Sequence, residues 1–156
     1  RSANHSWISG RMGVIDLTTM PVGAKVMMDT APIIYLLEGH QTLLDPFRPL
    51  FEKIDSGEYC AVISVVTLAE VLAGPIKHGN EILADRYYQL LTASPNWQFQ
   101  EMNAALSLMA ARIRVRYQLK LPDAIQVASA IYSQSAALIT HDQGFSKVDE
   151  IKVLGL

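Results

Sequence analysis

Four acidic residues stand at positions where chemistry is plausible. Asp29 ends the short apolar run "KVMMD", and Glu70 interrupts the apolar stretch "SVVTLAEVLAG". Asp123 follows Pro122 in "LPDAIQVASAI", and Asp142 closes "AALITHD". A carboxylate set against a packed element costs several kcal/mol unless it is paired or held neutral. Taken singly, each acid has an ordinary explanation. Asp123 is a good first-turn helix acid, Asp142 a good turn residue, and any of them could be half of a salt bridge. Glu70 is the least comfortable of these, because it breaks an apolar helix.

The elements that would position these acids follow from local pattern. Short apolar runs at 25–29, 59–64, 97–102, 136–140 and 151–156 read as strands, with amphipathic stretches between them. Residues 31–40 predict a short helix closed by Gly39, and 45–57 carry Phe47, Leu50, Phe51 and Ile54 at helical spacing. Ser64 caps a helix through Gly74, and Asn80 caps another to Ala93. Residues 103–120 form a long helix, and Pro122 opens the next, which runs to about Ser133. Strands alternating with helices predict an α/β fold with a central parallel sheet covered on both faces.

In such sheets ligands bind beyond the carboxyl ends of the strands. Asp29, Glu70, Asp123 and Asp142 all map to strand ends or helix starts on that rim. Two unit charges ~4 Å apart repel by about 4 kcal/mol at an effective dielectric of ~20, so gathered acids need protons or cations. Oxygen ligands without a His or Cys cluster favour Mg²⁺ or Mn²⁺ over zinc. Such ions hold phosphodiesters and promote attack by water.

Composition sets the remaining bounds. The 156 residues are 50% hydrophobic and 18% charged, which fits one globular domain. Mean hydropathy is +0.18, yet no uninterrupted apolar run reaches the length of a membrane span, and no secretory signal is legible at the start. The single cysteine, Cys60, excludes an internal disulfide and suits a reducing, cytoplasmic setting. A net charge of −2 means that nucleic acid would have to be met by a local basic patch. Arg112, Arg116 and Lys120 supply one candidate, a helical stripe leading toward Asp123; a solvated helix face is the equal alternative. Residues 1–24 show no clean period and are treated as a peripheral N-terminal arm or a segment extraneous to the domain at 25–156.

"VMMDTAPIIYLLEG", "VISVVTLAEVLAGP", "LKLPDAIQVASAI" and "ALITHDQGFSKVDEIKVL" resemble, in order and spacing, the motifs of PIN-domain ribonucleases. The similarity is closest to VapC-like toxins of toxin–antitoxin pairs. The resemblance implies a PIN-like three-layer α/β/α fold and a Mg²⁺- or Mn²⁺-dependent endoribonuclease. Its acids carry over to Asp29, Glu70, Asp123 and Asp142 as metal ligands. Thr30 matches the small polar residue after the first acid, and Thr140 the hydroxyl residue near metal and water. An antitoxin partner and a symmetric homodimer are further implications. The last motif departs from the family's Thr-Asn-Asp-x-Asp-Phe: His141 replaces the Asn and Gly144 the further acid, which leaves one metal ion or two open.

Two other readings stand beside this one. A small-molecule phosphatase would also use strand-end Asp residues, but its Asp-x-Asp pair is absent because Thr30 and Ala31 follow Asp29. A catalytically idle module that binds RNA or a partner protein would tolerate Gly144 and the slightly acidic charge. The helices at 31–38 and 44–55 carry many apolar residues, most of them explained by core packing. The surplus could form a groove for a partner helix.

Overall fold

The computed structural model describes residues 14–156. Five strands form one parallel sheet: β1 Lys25–Met28, β2 Cys60–Ser64, β3 Trp97–Gln100, β4 Ala137–Ile139 and β5 Lys152–Leu154. Their order across the sheet is β3-β2-β1-β4-β5. The chain therefore starts in the middle and builds outward first to one side, then to the other, which sets β1 between β2 and β4.

Side-chain alternation divides the core into two layers, because successive residues of a strand face opposite sides. Val26, Met28, Ala61, Ile63, Ala137 and Ile139 face one side, and Met27, Val62 and Leu138 face the other. The first face is covered by α1 (Thr30–Glu38), α2 (Gln41–Leu44), α3 (Arg48–Asp55), α4 (Val65–Lys77) and α5 (Glu81–Ala93). The second is covered by α6 (Ala104–Tyr117) and α7 (Leu121–Tyr132). This is the three-layer α/β/α arrangement expected from the alternating pattern.

The caps explain most boundaries. Ser64 accepts from the Thr67 N–H at 3.3 Å, Asn80 from Leu83 at 3.1 Å and Asn103 from Leu106 at 2.8 Å, each satisfying a donor with no partner inside its helix. Gly39 ends α1 at φ 69°.

Several boundaries differ from expectation. Gly74 does not stop α4, which continues over Pro75 to Lys77; the missing proline N–H costs only one bond near the helix end. The long helix ends at Tyr117, where Gln118 takes the left-handed conformation at φ 55° and donates to the Arg114 carbonyl. The stretch 45–57 divides at Asp45–Phe47 into a 3-10 turn followed by α3, with prolines at 46 and 49 entering the first turn of each piece. The third strand stops at Gln100 rather than 102.

The stretch 14–24 lies closer to the domain than the sequence suggested. Ile15, Met20 and Ala24 are buried in the first core layer. The Gly23 N–H donates to the Glu58 carbonyl at 2.7 Å, and Thr19 bonds Lys152 of the edge strand β5. Residues 1–13 lie outside the described residues. Among the described residues, no helix is long and apolar enough to cross a membrane.

Candidate metal centre on the carboxyl rim of the sheet

Three strand-to-helix junctions meet on the rim. β1 passes through Asp29 into α1, β2 passes through Ser64 into α4, and β4 leads through Thr140 and His141 to Asp142. The start of α7 rises beside them from the opposite layer and brings Asp123 in its first turn. Parallel pairing of β1 with both β2 and β4 makes this convergence obligatory, since the three carboxyl ends then point the same way.

The four predicted acids come together electrostatically. Burial pushes the Asp123 carboxyl above the usual aspartate range, the charges of Asp142 and Asp29 push it further, Lys120 pulls it back, and Glu70 adds the smallest push. Asp29 and Asp123 are half-buried, while Glu70 and Asp142 are exposed. Among the described residues, no three Asp, Glu, His or Cys side chains stand close enough to enclose an ion as they are. The donor chemistry nevertheless fits a hard divalent cation. All four groups are carboxylates, and a positive charge between them would relieve the repulsion felt at Asp123.

Asp29 is the most firmly held of the four. Its Oδ1 accepts from Gln126 Nε2 at 2.8 Å and its Oδ2 from Thr140 Oγ1 at 2.7 Å. Its own N–H donates to the Ile139 carbonyl at 2.9 Å. Thr140, fully buried, also accepts from the Asp142 N–H at 3.0 Å, so one hydroxyl fixes both acids. Glu70 accepts from Thr30 Oγ1 at 2.5 Å. Asp142 also keeps its role as a turn residue: its Oδ1 accepts from the Gly144 N–H at 2.8 Å and caps the 3-10 turn Gln143–Phe145. A Cβ at position 144 would lie 3.1 Å from that oxygen, so a longer side chain would crowd Asp142.

Three residues that bind this site together were not singled out from the sequence. Gln126 is 1% exposed and spans from Asp29 to Ser64 and Thr67. Ser64 was seen only as a cap and Thr67 not at all. The available signal was an amide within an apolar helix, three residues after Asp123 and so on the same helix face.

The basic stripe is less uniform than its spacing suggested. Lys120 stands at the residue before α7, with its charge close enough to act on Asp123. Arg116, by contrast, pairs with Glu150 at 3.4 Å and lies over the Tyr117 ring. Arg112 is exposed on α6. His141 packs edge-on against Tyr35 and Phe47 and meets the Tyr35 hydroxyl at 3.3 Å. Cys60 is half-buried, and burial raises its thiol pKa, which suits an unreactive side chain.

The apolar residues of α1, the 3-10 turn and α3 serve the core first. Ile33, Phe47, Leu50, Phe51 and Ile54 are buried in the core. Leu36 and Leu37 are partly buried against that core and, with Ile33, Phe51 and Ile54, border a cavity of about 460 Å³ that also touches Leu90 of α5 and Trp97 of β3.

Comparison with known proteins agrees with this architecture. No curated protein sequence matches the chain significantly. Among solved structures, the chain is similar to VapBC2 from Rickettsia felis bound to a promoter DNA fragment, with TM-score 0.65, 15% identity, and coverage of 83% of this chain and 96% of that one. A toxin–antitoxin complex from Klebsiella pneumoniae gives TM-score 0.63 at 24% identity, covering 81% and 94%. VapC20 from Mycobacterium tuberculosis, described as a sarcin–ricin loop cleaving toxin, gives 0.60 at 15% identity, covering 81% and 98%. These likenesses establish the fold. The PIN domain family matches residues 26–151, so the chain belongs to the PIN-domain family.

Proposed function

We propose that this protein is a divalent-metal-dependent endoribonuclease and the toxin of a toxin–antitoxin pair. The observation that carries the proposal is the gathering of Asp29, Glu70, Asp123 and Asp142 on one rim, which leaves Asp123 facing three like charges. A fold does not by itself fix an activity. The family membership and this cluster together favour hydrolysis of a phosphodiester. A Mg²⁺ or Mn²⁺ ion, when bound, would polarise the phosphoryl group and offset charge on the entering and leaving oxygens.

The chain's own part follows from its residues. Asp29, Asp123 and Asp142 would hold the ion, and Asp29 comes to that task already oriented by Gln126 and Thr140. Glu70, steadied by Thr30, would orient the attacking water and take its proton. Lys120 and Arg112 would draw the RNA backbone toward the rim, with Arg116 contributing less because Glu150 already pairs it. The cavity bordered by Leu36, Leu37 and Trp97 suits an amphipathic antitoxin helix; the solved neighbours include toxin–antitoxin complexes. Pairing into a symmetric dimer is checked by light scattering.

The test is cleavage of single-stranded RNA with and without Mn²⁺, run beside a chromogenic phosphate monoester. RNA cleavage that needs metal and vanishes in a folded Asp29→Asn variant is expected. Turnover of the ester alone would favour a phosphatase. RNA binding without cleavage in the wild type would favour an idle binding module.

A further inference from the structure

We infer that Gln126 is a positioning residue for the proposed metal centre, holding Asp29 in one orientation and tying it mechanically to Glu70. The inference rests on the metal-dependent reading above. It concerns a side chain that need not touch ion, water or RNA.

The argument begins with burial. A glutamine side chain at 1% exposure must satisfy two N–H donors and a carbonyl without water, or lose about 1–3 kcal/mol for each group left unpaired. Gln126 satisfies all three. Nε2 donates to Asp29 Oδ1 at 2.8 Å and to Thr67 Oγ1 at 2.7 Å, while Oε1 accepts from the Ser64 hydroxyl.

The direction of each bond is fixed by its neighbours. Ser64 Oγ accepts from the Thr67 N–H, so its one proton is free for Gln126 Oε1. The amide nitrogen must then face Asp29 and Thr67. Thr67 accepts from that amide and has its own proton available for the Met28 carbonyl, 3.3 Å away, or for Thr30 Oγ1 at 3.2 Å. Thr30 sends its proton to Glu70. Flipping the amide would place its oxygen against the Asp29 carboxylate, which can only accept. With the Thr67 proton on Thr30, the chain Glu70–Thr30–Thr67–Gln126–Asp29 is continuous; with it on the Met28 carbonyl, Gln126 still bridges Asp29, Thr67 and Ser64.

This arrangement has a functional consequence. Asp29 is anchored on one oxygen from β4, through Thr140, and on the other from α7, through Gln126. Its carboxylate plane is set before any ion arrives. The same helix carries Asp123 three residues earlier, so Gln126 also fixes the placement of one acid relative to the other. Partners of this kind, behind a ligating carboxylate, typically change metal affinity by about 10–100-fold when removed.

The test is Mn²⁺ binding by calorimetry in wild type and Gln126→Met, which keeps volume and removes both donors. A Kd weakened about 10–100-fold is expected, with RNA affinity measured in EDTA changed less than about twofold. A folded Gln126→Met variant that binds Mn²⁺ like the wild type overturns the positioning role and leaves the metal reading standing. A wild type that takes up no Mn²⁺ overturns the metal reading and this inference with it. Should Gln126→Met fail to fold, NMR of the Gln126 side-chain NH₂ decides. Two slowly exchanging protons that shift in Asp29→Asn support the anchor, and fast exchange indifferent to that substitution refutes it.

Discussion

Thr140→Val offers the sharpest test of whether the rim is organised before it binds anything. The two side chains have nearly the same shape, so the substitution removes one hydroxyl and little else. That hydroxyl donates to Asp29 Oδ2 at 2.7 Å and accepts from the Asp142 N–H at 3.0 Å, from a residue with no exposed surface. A bond to a charged acceptor is worth about 1.5–3 kcal/mol, and water reaching the half-buried Asp29 recovers part of it. The Asp142 N–H loses its acceptor, which costs up to about 1–3 kcal/mol where water cannot substitute. A net loss of about 2–4 kcal/mol follows from these bonds. For a domain of this size each kcal/mol moves Tm by about 2–4 °C, so the fall should be on the order of 4–16 °C. Urea and thermal unfolding in EDTA measure it without involving catalysis. Thr140→Ser, which keeps the hydroxyl, should fall by a small part of that amount. If Thr140→Val lies within about 0.5 kcal/mol of wild type, the typical scatter of inconsequential substitutions, the hydroxyl does not hold the two acids and the argument for a pre-set rim fails.

Asp123 gives a pH signature. Its carboxyl is raised, first by burial and then by Asp142, Asp29 and Glu70, so the folded state binds more protons than the unfolded state between the ordinary and raised values. Stability of the metal-free protein should therefore fall as pH rises through that window. Asp123→Asn should flatten the slope in a urea series; an unchanged slope would discount the cluster. Gly155→Ala should cost about 2–5 kcal/mol, from φ +100° and from a methyl 2.9 Å from Phe47 Cε1 and against the Thr140 carbonyl. Chemical denaturation measures it, and a cost below about 1 kcal/mol would count against the close approach of β5 to Thr140. On RNA, Lys120→Gln should reduce the salt dependence of binding by nearly one counterion, and Arg116→Gln by distinctly less because of its pair with Glu150. Equal effects would mean that the pair opens whenever RNA is bound.

What the sequence discloses here depends on the range of the interaction concerned. The three central strands β1, β2 and β4 are legible because each is a short, buried apolar run, and the acids are legible because they stand just past those runs at 29 and 142 or on the helices that follow. A parallel sheet then forces their approach, so the rim could be inferred without any knowledge of side-chain contacts. Gln126 was hidden by the same regularity. It lies on the buried stripe of α7 among Ala124, Val127 and Ala128, and an amide there looks like a flaw in the pattern until Asp29 at the end of β1, Ser64 at the end of β2 and Thr67 of α4 are brought to it. The Arg116–Glu150 pair depends on how the connection from β4 to β5 folds back on α6, and helical spacing is blind to that. Ile15 and Met20 pack into the core from a stretch with no period at all, because burial of an irregular segment leaves no repeat to read. The residues that present the chemistry are therefore marked by position relative to secondary structure. Those that hold it in place are marked only by tertiary contact, and they are where a sequence-based account of such a site will most often be incomplete.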